Sequence, residues 1–332
     1  MTNKILLSIK NLTTHFTVGN SVVKAVDGVS FDLEAGKTFA IVGESGSGKS
    51  ITALSIMGLL PNNLAKIDRG EIIFDNQNLL NLEEKEMRKI RGNSISMIFQ
   101  EPMTSLNPVY NLSYQISEAV MLHQNKSKIK AREIAIDMLD LVGIPEPQKR
   151  IDSFPHELSG GMRQRAMIAM ALSCNPKILI ADEPTTALDV TIQAQIIELM
   201  QDLQKKLGMS IIFITHDLGV VSEISDHVMV MYLGNVMEIA ETREIFSNPL
   251  HSYTKSLIDI APQITQERRK IKILKGEIPS PINPPSGCVF RTRCPNPTHQ
   301  CKEGISQMGL IEPKPGHFVD QCCYECNTND KS

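Results

Sequence analysis

The segment from Gly43 to Ser50 has the residue types and spacing of a phosphate-binding loop. Its letters, GESGSGKS, fit the pattern G-x-x-x-x-G-K-S/T. Glycines let the backbone approach phosphate oxygens, and a helix that begins here would direct its N–H groups towards an anion. Lys49 would place its charge on the β- and γ-phosphates, and the Ser50 hydroxyl would ligate magnesium. The predicted nucleoside triphosphate site comprises Gly43, Glu44, Ser45, Gly46, Ser47, Gly48, Lys49, Ser50 and Ile51.

Two adjacent carboxylates, Asp182 and Glu183, follow the apolar run of residues 178–181. At the end of a buried strand, Asp182 suits a magnesium ion and Glu183 suits the attacking water. Phosphoryl transfer depends on positioning and charge stabilisation, and a general base contributes about 100- to 10,000-fold to the rate. The alternative is that these acids merely end a strand.

Six of the seven cysteines lie in the last 45 residues, at positions 288, 294, 301, 322, 323 and 326. The apolar run of residues 5–7 is too short for a signal-peptide core, so we expect a reducing cytosol, which favours a metal site over disulfides. Four thiolates satisfy either tetrahedral zinc or an iron–sulfur cluster, although the spacing of positions 288, 294, 301 and 322 or 323 lacks the C-x2-C pairs of usual zinc fingers. The alternative is a small appendix packed by reduced cysteines, and the seventh, Cys174, is predicted to be a buried core thiol.

Composition limits the class of protein. The 332 residues correspond to roughly two domains at about 150 residues each. Lys plus Arg number 34 and Asp plus Glu 37, a net charge of −3, so no basic surplus indicates a nucleic-acid partner. No apolar run approaches the ~20 residues of a membrane-spanning helix, and the chain is not expected to cross a membrane.

The pattern around the phosphate loop predicts the elements that position it. β-type segments at 6–12, 22–26, 29–33 and 38–42 predict a small antiparallel sheet that leads into the loop. Apolar residues at helical spacing then predict a helix over 51–60, ended by Pro61. Residues 82–91 are charged and predict a short solvated helix.

The rest of the chain predicts an α/β fold. Residues 111–174 are rich in helix formers and indicate a helical insert, with limits of about 101–174. Strands at 178–181, 211–215 and 228–231, with a helix over 192–207, indicate a mostly parallel core sheet. Residues 262–287 combine a basic patch with several prolines and predict a linker or docking segment. The expected architecture adds an N-terminal antiparallel β subdomain, the helical insert and a Cys-rich C-terminal appendix.

The string LSGGMRQR, residues 158–165, resembles the signature of ATP-binding-cassette (ABC) proteins. Ser159, Gly160 and Gly161 would offer hydroxyl and amide groups to phosphate at a helix start. The resemblance extends to other family motifs in the family's order. It implies nucleotide or magnesium contacts by Gln100 of the Q-loop, Gln164 of the signature and Asp189 of the D-loop (Thr186–Asp189), and a switch histidine near the γ-phosphate at His216.

The resemblance covers roughly residues 5–260 and implies an ABC-type P-loop ATPase. In this family the signature faces the phosphate loop of a second subunit in a head-to-tail dimer. Phe16 stands about where the family places an aromatic ring that stacks on adenine, with a core role equally open, and His15 is a weaker candidate. The implied nucleotide-binding domain is 1–261.

Three stretches are similar to the oligopeptide/dipeptide and nickel importer ATPases: QEPMTSLNP at 100–108, HSYT at 251–254 and the Cys-bearing tail. The resemblance implies a second, related ATPase subunit, two membrane permeases and an external solute-binding protein, with this chain on the cytoplasmic face of the membrane. Peptides are the favoured substrate, with nickel or another small solute as the alternative. The rival is a cassette ATPase acting on nucleic acid or ribosomes, which usually carries coiled-coil insertions or a second cassette.

For residues 288–332 the resemblance implies a four-iron four-sulfur cluster, with zinc as the alternative. Cys288, Cys294 and Cys301 match three ligand positions. The segment HFVDQ at 317–321 is one residue longer than the family pattern, so the fourth ligand is either Cys322 or Cys323, and Cys326 is a third candidate.

Overall fold

The computed structural model describes residues 4–100, 105–186, 188–260, 274, 276–297, 301, 309–321 and 323–324. These residues form two compact units. The first unit takes its residues from the ranges 1–5, 33–37 and 81–214, and the second from 6–32, 38–80 and 215–332. The predicted domain limits at 261 and 287 stay predictions.

The second unit contains an antiparallel sheet of four strands: β1 (Ile5–Val18), β2 (Ser21–Glu34), β4 (Ala65–Phe74) and β5 (Gln77–Asn78), in the order β2-β1-β4-β5. The sequence predicted shorter strands and missed β4. The pairing of β1 with β4 shifts register around Asn11, whose φ is 49°, so a turn-forming residue is accommodated as a bulge inside a continuous strand. Gly28, with a φ of 71°, interrupts the pattern of β2 in the same way.

A second sheet region of this unit carries the phosphate loop. Strand β3 (Thr38–Val42) is fully buried and runs parallel to β9 (His227–Tyr232). Strand β10 (Asn235–Glu241) continues from β9 as an antiparallel neighbour. The helices of the unit are α1 (Lys49–Met57), α8 (Leu218–Ile224), α9 (Thr242–Ser247) and α10 (Ser252–Ile260).

The tail contributes a hairpin to this sheet region, which the sequence did not predict. Strands β11 (Leu310–Lys314) and β12 (His317–Asp320) pair with each other, and β12 pairs with β10. The turn is Pro315–Gly316, where Gly316 has a φ of 72°. Proline and glycine indicate a turn in the sequence, and the two short strands beside that turn are stabilised by the pairing of β12 with β10.

The first unit contains three parallel strands, β6 (Ile95–Ile98), β7 (Ile178–Asp182) and β8 (Ser210–Thr215). Every residue of the three strands is buried, as expected of parallel strands covered on both faces. The strands predicted at 178–181 and 211–215 are thereby confirmed. The helices are α2 (Glu84–Ile90), α3 (Leu112–Gln124), α4 (Lys128–Leu141), α5 (Pro147–Arg150), α6 (Gly160–Leu172) and α7 (Val190–Leu207).

Helix ends follow local capping more closely than the positions of prolines. Helix α1 ends at Gly58, which adopts a left-handed conformation and donates its N–H to Ser55. The predicted end at Pro61 was three residues too late for this reason. The segment 111–174 is helical as predicted, and Asn111 caps α3 by accepting from the Tyr114 N–H at 2.9 Å. None of the helices in the described ranges has the length and apolarity required to span a bilayer.

Candidate nucleotide-binding and catalytic site

The phosphate loop joins β3 to α1, and its first and last motif glycines are fixed by close packing. Gly43 has a φ of 153°, and a Cβ there would lie 2.2 Å from the Met231 carbonyl oxygen. Gly48 has a φ of 103°, and its Cβ would lie 2.4 Å from the Ala25 carbonyl oxygen. Neither distance is compatible with a side chain, so the loop requires glycine at both positions.

Lys49 lies inside the loop that it follows. Its Nζ donates to the carbonyl oxygens of Gly43, at 2.8 Å, and Glu44, at 3.1 Å, and the side chain is buried. Gly48 provides no side-chain cap for α1, and among the described residues the buried Ser47 hydroxyl has no hydrogen-bond partner. An ammonium group, a helix N-terminus and a spare hydroxyl together suit a bound phosphate. Ser45 and Gly46 are exposed, whereas Ser50 is partly buried.

In the first unit, Glu183 is held by two donors at the end of β7. The Gln100 amide nitrogen lies 2.9 Å from Glu183 Oε2, and the Thr186 hydroxyl lies 3.0 Å from the same oxygen. Glu183 has a φ of 46°, and its N–H donates to the Ile214 carbonyl at 2.9 Å. The preceding Asp182 is buried. This arrangement orients one carboxylate that can accept a proton from water and a second that can ligate a cation.

The signature residues surround the start of α6. Ser159 caps this helix by accepting from the Met162 N–H at 3.3 Å, and Ser159 and Gly160 are exposed. Gly161 packs near Ile192, whose Cγ2 would lie 3.2 Å from an added Cβ. Gln164 is fully buried and donates to the Pro184 carbonyl, so it anchors α6 to the turn that follows Glu183 instead of facing solvent. The contact of Gln164 with nucleotide that the resemblance implies stays a prediction.

The remaining predicted nucleotide contacts have local roles as well. Asp189 caps α7 by accepting from the Ile192 N–H at 2.9 Å. In the second unit, His216 is exposed after β8, and Phe16 is half-buried on β1 opposite Ala65. His15 lies beside it, and its buried Nε2 has no hydrogen-bond partner in the part of the chain that the structure describes. Ala187 of the D-loop and residues 101–104 lie outside the described residues.

The described tail cysteines gather around His251 and Ser252. Cys323 is buried, and its Sγ accepts from the Ser252 N–H at 3.3 Å. Burial acts to raise the pKa of the Cys323 thiol, but the adjacent His251 and Ser252 lower it overall. The Cys288 Sγ, a His251 ring nitrogen and an Asp320 carboxylate oxygen lie within 4.8 Å of one another.

Cys294 and Cys301 complete this group, which we name the tail cysteine group. Burial is the main cause of the raised pKa of the Cys294 thiol, and the nearby Cys323 and Cys301 thiols raise it further. Cys301 is buried. Cys322 and Cys326 lie outside the described residues. Cys174, in the first unit, is buried as predicted, and burial raises the pKa of its thiol.

Glu238 connects this region to β10 and was missed by sequence reasoning. Its carboxylate is fully buried, accepts from the N–H groups of Leu250 at 2.7 Å and His251 at 3.0 Å, and lies 2.7 Å from His317 Nε2. Burial acts to raise the pKa of Glu238, but these hydrogen bonds lower it overall. The available signal was a lone acid inside the apolar run of residues 236–240.

Comparison with known proteins identifies the family. Residues 26–186 match the family described as ABC transporter, and residues 237–301 match the family described as oligopeptide/dipeptide transporter, C-terminal region. The chain is 51% identical over 320 residues to the oligopeptide transport ATP-binding protein AppD of Bacillus subtilis (strain 168), covering 96% of this chain and 97% of that protein. It is 54% identical over 291 residues to the dipeptide transport ATP-binding protein DppD of the same organism, covering 88% and 87%.

Solved structures agree with this assignment. The dimeric structure of a post-hydrolysis state of the ATP-binding cassette MJ0796, bound to ADP and Pi, aligns over 71% of this chain and 99% of that one, with a TM-score of 0.64 and 29% identity. The structure of cbiO1 from Clostridium perfringens, described as part of the ABC transporter complex cbiONQ, aligns over 74% of this chain and 91% of that one, with a TM-score of 0.62 and 29% identity. Fold and site thus define an ABC-type ATPase, which uses ATP with Mg²⁺. Within the ABC transporter family, the chain belongs to the oligopeptide/dipeptide transport ATP-binding proteins.

Proposed function

We propose that this chain is the ATP-hydrolysing subunit of a peptide importer, acting at the cytoplasmic face of the membrane. The observation that carries the proposal is the match of the C-terminal region, residues 237–301, together with near full-length identity to proteins named for oligopeptide and dipeptide transport. The permeases and the external binding protein decide which substrate is imported: the length of the peptide, or nickel or another small solute in place of peptides.

The complete importer contains a second, related ATPase subunit, two permeases and an external solute-binding protein. The exposed Ser159 and Gly160 at the start of α6 support a paired arrangement, because a phosphate-binding helix start needs a nucleotide presented by another surface. The similar cassette MJ0796 is described as dimeric. ATP closes the pair and hydrolysis reopens it, which switches the permeases between their two orientations.

ATP hydrolysis assigns a role to each described group of the site. The Lys49 ammonium and the N-terminus of α1 hold the β- and γ-phosphates, and the Ser47 hydroxyl donates to a phosphate oxygen. Glu183, oriented by Gln100, accepts a proton from the attacking water, and His216 contacts the γ-phosphate. The family motifs assign Ser50, Gln100 and Asp182 as ligands of Mg²⁺, which when bound would supply positive charge that offsets the negative charge of the transferring phosphate. The buried oxygen of Asp182 fits that ion.

The tail cysteine group fits an iron–sulfur cluster in its donor set. Of the four described tail thiols, Cys288 and Cys323 lie beside the buried His251, Cys294 lies near Cys323 and Cys301, and the Ser252 N–H donates to the Cys323 sulfur. Thiolates are the ligands that such clusters use, and N–H donors stabilise their charge. Cys323 is the described candidate for the fourth ligand, and Cys322 stays the alternative. A bound cluster would cross-link the tail, and its role is structural.

Iron analysis tests the cluster. Protein purified without oxygen is expected to contain iron and acid-labile sulfide and to absorb broadly in the visible region. Cys323→Ser is expected to lose most of the iron, whereas the matched control Cys174→Ser retains it, because Cys174 lies in the first unit. Zinc, or no metal, in the wild-type protein contradicts the cluster.

Transport tests the proposed function. The chain is co-purified with the permeases and second ATPase encoded beside it and reconstituted into vesicles with ATP trapped inside. With the solute-binding protein and labelled di- and pentapeptides outside, we expect uptake that requires internal ATP and disappears with Glu183→Gln. Uptake of labelled nickel without peptide uptake contradicts the substrate class. Salt-sensitive binding of nucleic acid without association with a permease contradicts the transporter role.

A further inference from the structure

The second residue of the phosphate loop is bound by an arginine from the tail. The Arg293 guanidinium meets the Glu44 carboxylate with both of its terminal nitrogens, Nη1 to Oε2 at 2.5 Å and Nη2 to Oε1 at 3.0 Å. The Arg293 side chain is 5% exposed and that of Glu44 is 29% exposed. A two-point contact of this kind fixes orientation as well as charge, and burial reduces its screening by salt.

Tyr253 holds the same loop residue at a second point. The Glu44 N–H donates to the Tyr253 hydroxyl oxygen at 3.1 Å, and that hydroxyl lies 3.5 Å from Glu44 Oε2. Burial raises the pKa of the Tyr253 phenol, so the hydroxyl stays protonated at neutral pH. Backbone and side chain of Glu44 are therefore both held by residues from the C-terminal part of the chain.

The support beneath these contacts is a rigid aromatic cluster. The ring centroids of Tyr232, Tyr253 and Phe290 lie 4.8–5.4 Å apart, and all three side chains are buried. Arg293 Nη1 lies 3.4 Å from the Tyr232 hydroxyl oxygen. Packed aromatic side chains have few alternative rotamers, so the arginine is presented to Glu44 in one position.

The fixed position of Glu44 also affects Lys49, the residue proposed to bind phosphate. Its carbonyl oxygen accepts from Lys49 Nζ at 3.1 Å, so the plane of the Glu44 peptide helps to place the ammonium group. The Glu44 carboxylate also carries a negative charge beside a site for a highly anionic ligand. Without a cation on that carboxylate, it would repel the triphosphate.

We propose that Arg293 is a positioning residue for ATP binding, which neutralises and orients Glu44 and so couples the C-terminal tail to the phosphate loop. The inference rests on the ATPase activity and is independent of the transported substrate. A failure of peptide uptake would leave it standing.

Titration of the full-length protein with a fluorescent ATP analogue, together with steady-state ATPase kinetics, tests the proposal. Arg293→Ala is expected to weaken binding and raise KM about tenfold, with kcat changed less than about threefold, since the groups that activate water are untouched. Arg293→Lys, which keeps the charge but loses the two-point geometry, is expected to lie between Arg293→Ala and wild type. The matched control Arg243→Ala, at an exposed arginine of α9, is expected to bind like wild type.

A double substitution separates positioning from general support of the fold. Removing the carboxylate removes the repulsion, so Glu44→Gln combined with Arg293→Ala is expected to bind ATP several-fold more tightly than Arg293→Ala alone. Thermal melting of each variant accompanies the titrations. The proposal is overturned if Arg293→Ala binds like Arg243→Ala, or if affinity falls with melting temperature and Glu44→Gln restores none of it.

Discussion

The Glu238 carboxylate attaches β12 and the start of α10 to β10, and its removal is expected to loosen that region. Glu238→Ala removes a hydrogen-bond acceptor from the buried His251 amide, at about 1–3 kcal/mol, and from the partly buried Leu250 amide, and it removes the 2.7 Å contact of His317 Nε2. Breaking a buried pair of this kind costs about 3–5 kcal/mol. Because about 1.4 kcal/mol is a factor of ten, we expect these two amides to exchange their hydrogens on the order of 100- to 1,000-fold faster.

Hydrogen exchange followed by mass spectrometry or NMR, at neutral pH, measures this effect. Glu241→Ala, at an exposed glutamate of the same strand, is the matched control and is expected to leave exchange at Leu250 and His251 unchanged. Exchange at those amides that is equal in the two variants would refute the reasoning that Glu238 holds the region together.

The direction of the Glu238 pKa shift adds a pH dependence. Its pKa in the folded protein lies below the ordinary value of about 4.3, so its stabilisation is fully present above that value and is lost as the pH falls through the lowered pKa. The difference in protection between wild type and Glu238→Ala is therefore expected not to shrink from pH 7 to 5, where protonation of the nearby His251, whose pKa Glu238 helps to raise, only adds to it, and to shrink in more acidic buffer. Shrinkage already at pH 6 would contradict the direction of the shift.

Two further substitutions test the phosphate loop. Lys49→Ala removes the ammonium that donates to the Gly43 and Glu44 carbonyls, and titration with an ATP analogue is expected to show a loss of affinity of about 10- to 100-fold. The control Lys255→Ala, at an exposed lysine, is expected to bind the analogue like wild type. Equal affinities of the two variants would contradict the assignment of Lys49 to the phosphate site. Gly48→Ala and Gly46→Ala both place alanine at a positive φ, but only at position 48 would the added Cβ meet a backbone oxygen, at 2.4 Å. In urea unfolding we therefore expect Gly48→Ala to be about 1–3 kcal/mol less stable than Gly46→Ala. Equal stabilities of the two variants would contradict the close packing at Gly48.

The phosphate loop, β7 and β8 could be predicted because their signals are local. A glycine pattern next to an apolar run requires no knowledge of distant parts of the chain, and strands buried on both faces show as continuous apolar segments. The same holds for the helices over 112–172, where caps such as Asn111 follow from short-range hydrogen bonds.

Features that depend on distant partners could not be predicted. Arg293 and Glu44 are separated by 249 positions, and neither residue type indicates the other in the sequence. The hairpin β11–β12 is stabilised by its pairing with β10, which outweighs the turn signal of its proline and glycine. Strand β4 contains charged residues and Gly70 at a φ of 119°, so its half-exposed pattern concealed a strand that pairs with β1.

In the proposed mechanism, the hydrolytic step depends on Glu183 more than on any other described residue. Glu183→Gln keeps an acceptor oxygen for the Gln100 amide and the Thr186 hydroxyl but cannot take a proton from water. Phosphate release by the full-length protein, measured beside ATP-analogue binding, tests the account most directly. We predict affinity within about threefold of wild type and a turnover lower by about 100-fold or more. Turnover equal to wild type at unchanged affinity would contradict the assignment of this site as the centre of ATP hydrolysis.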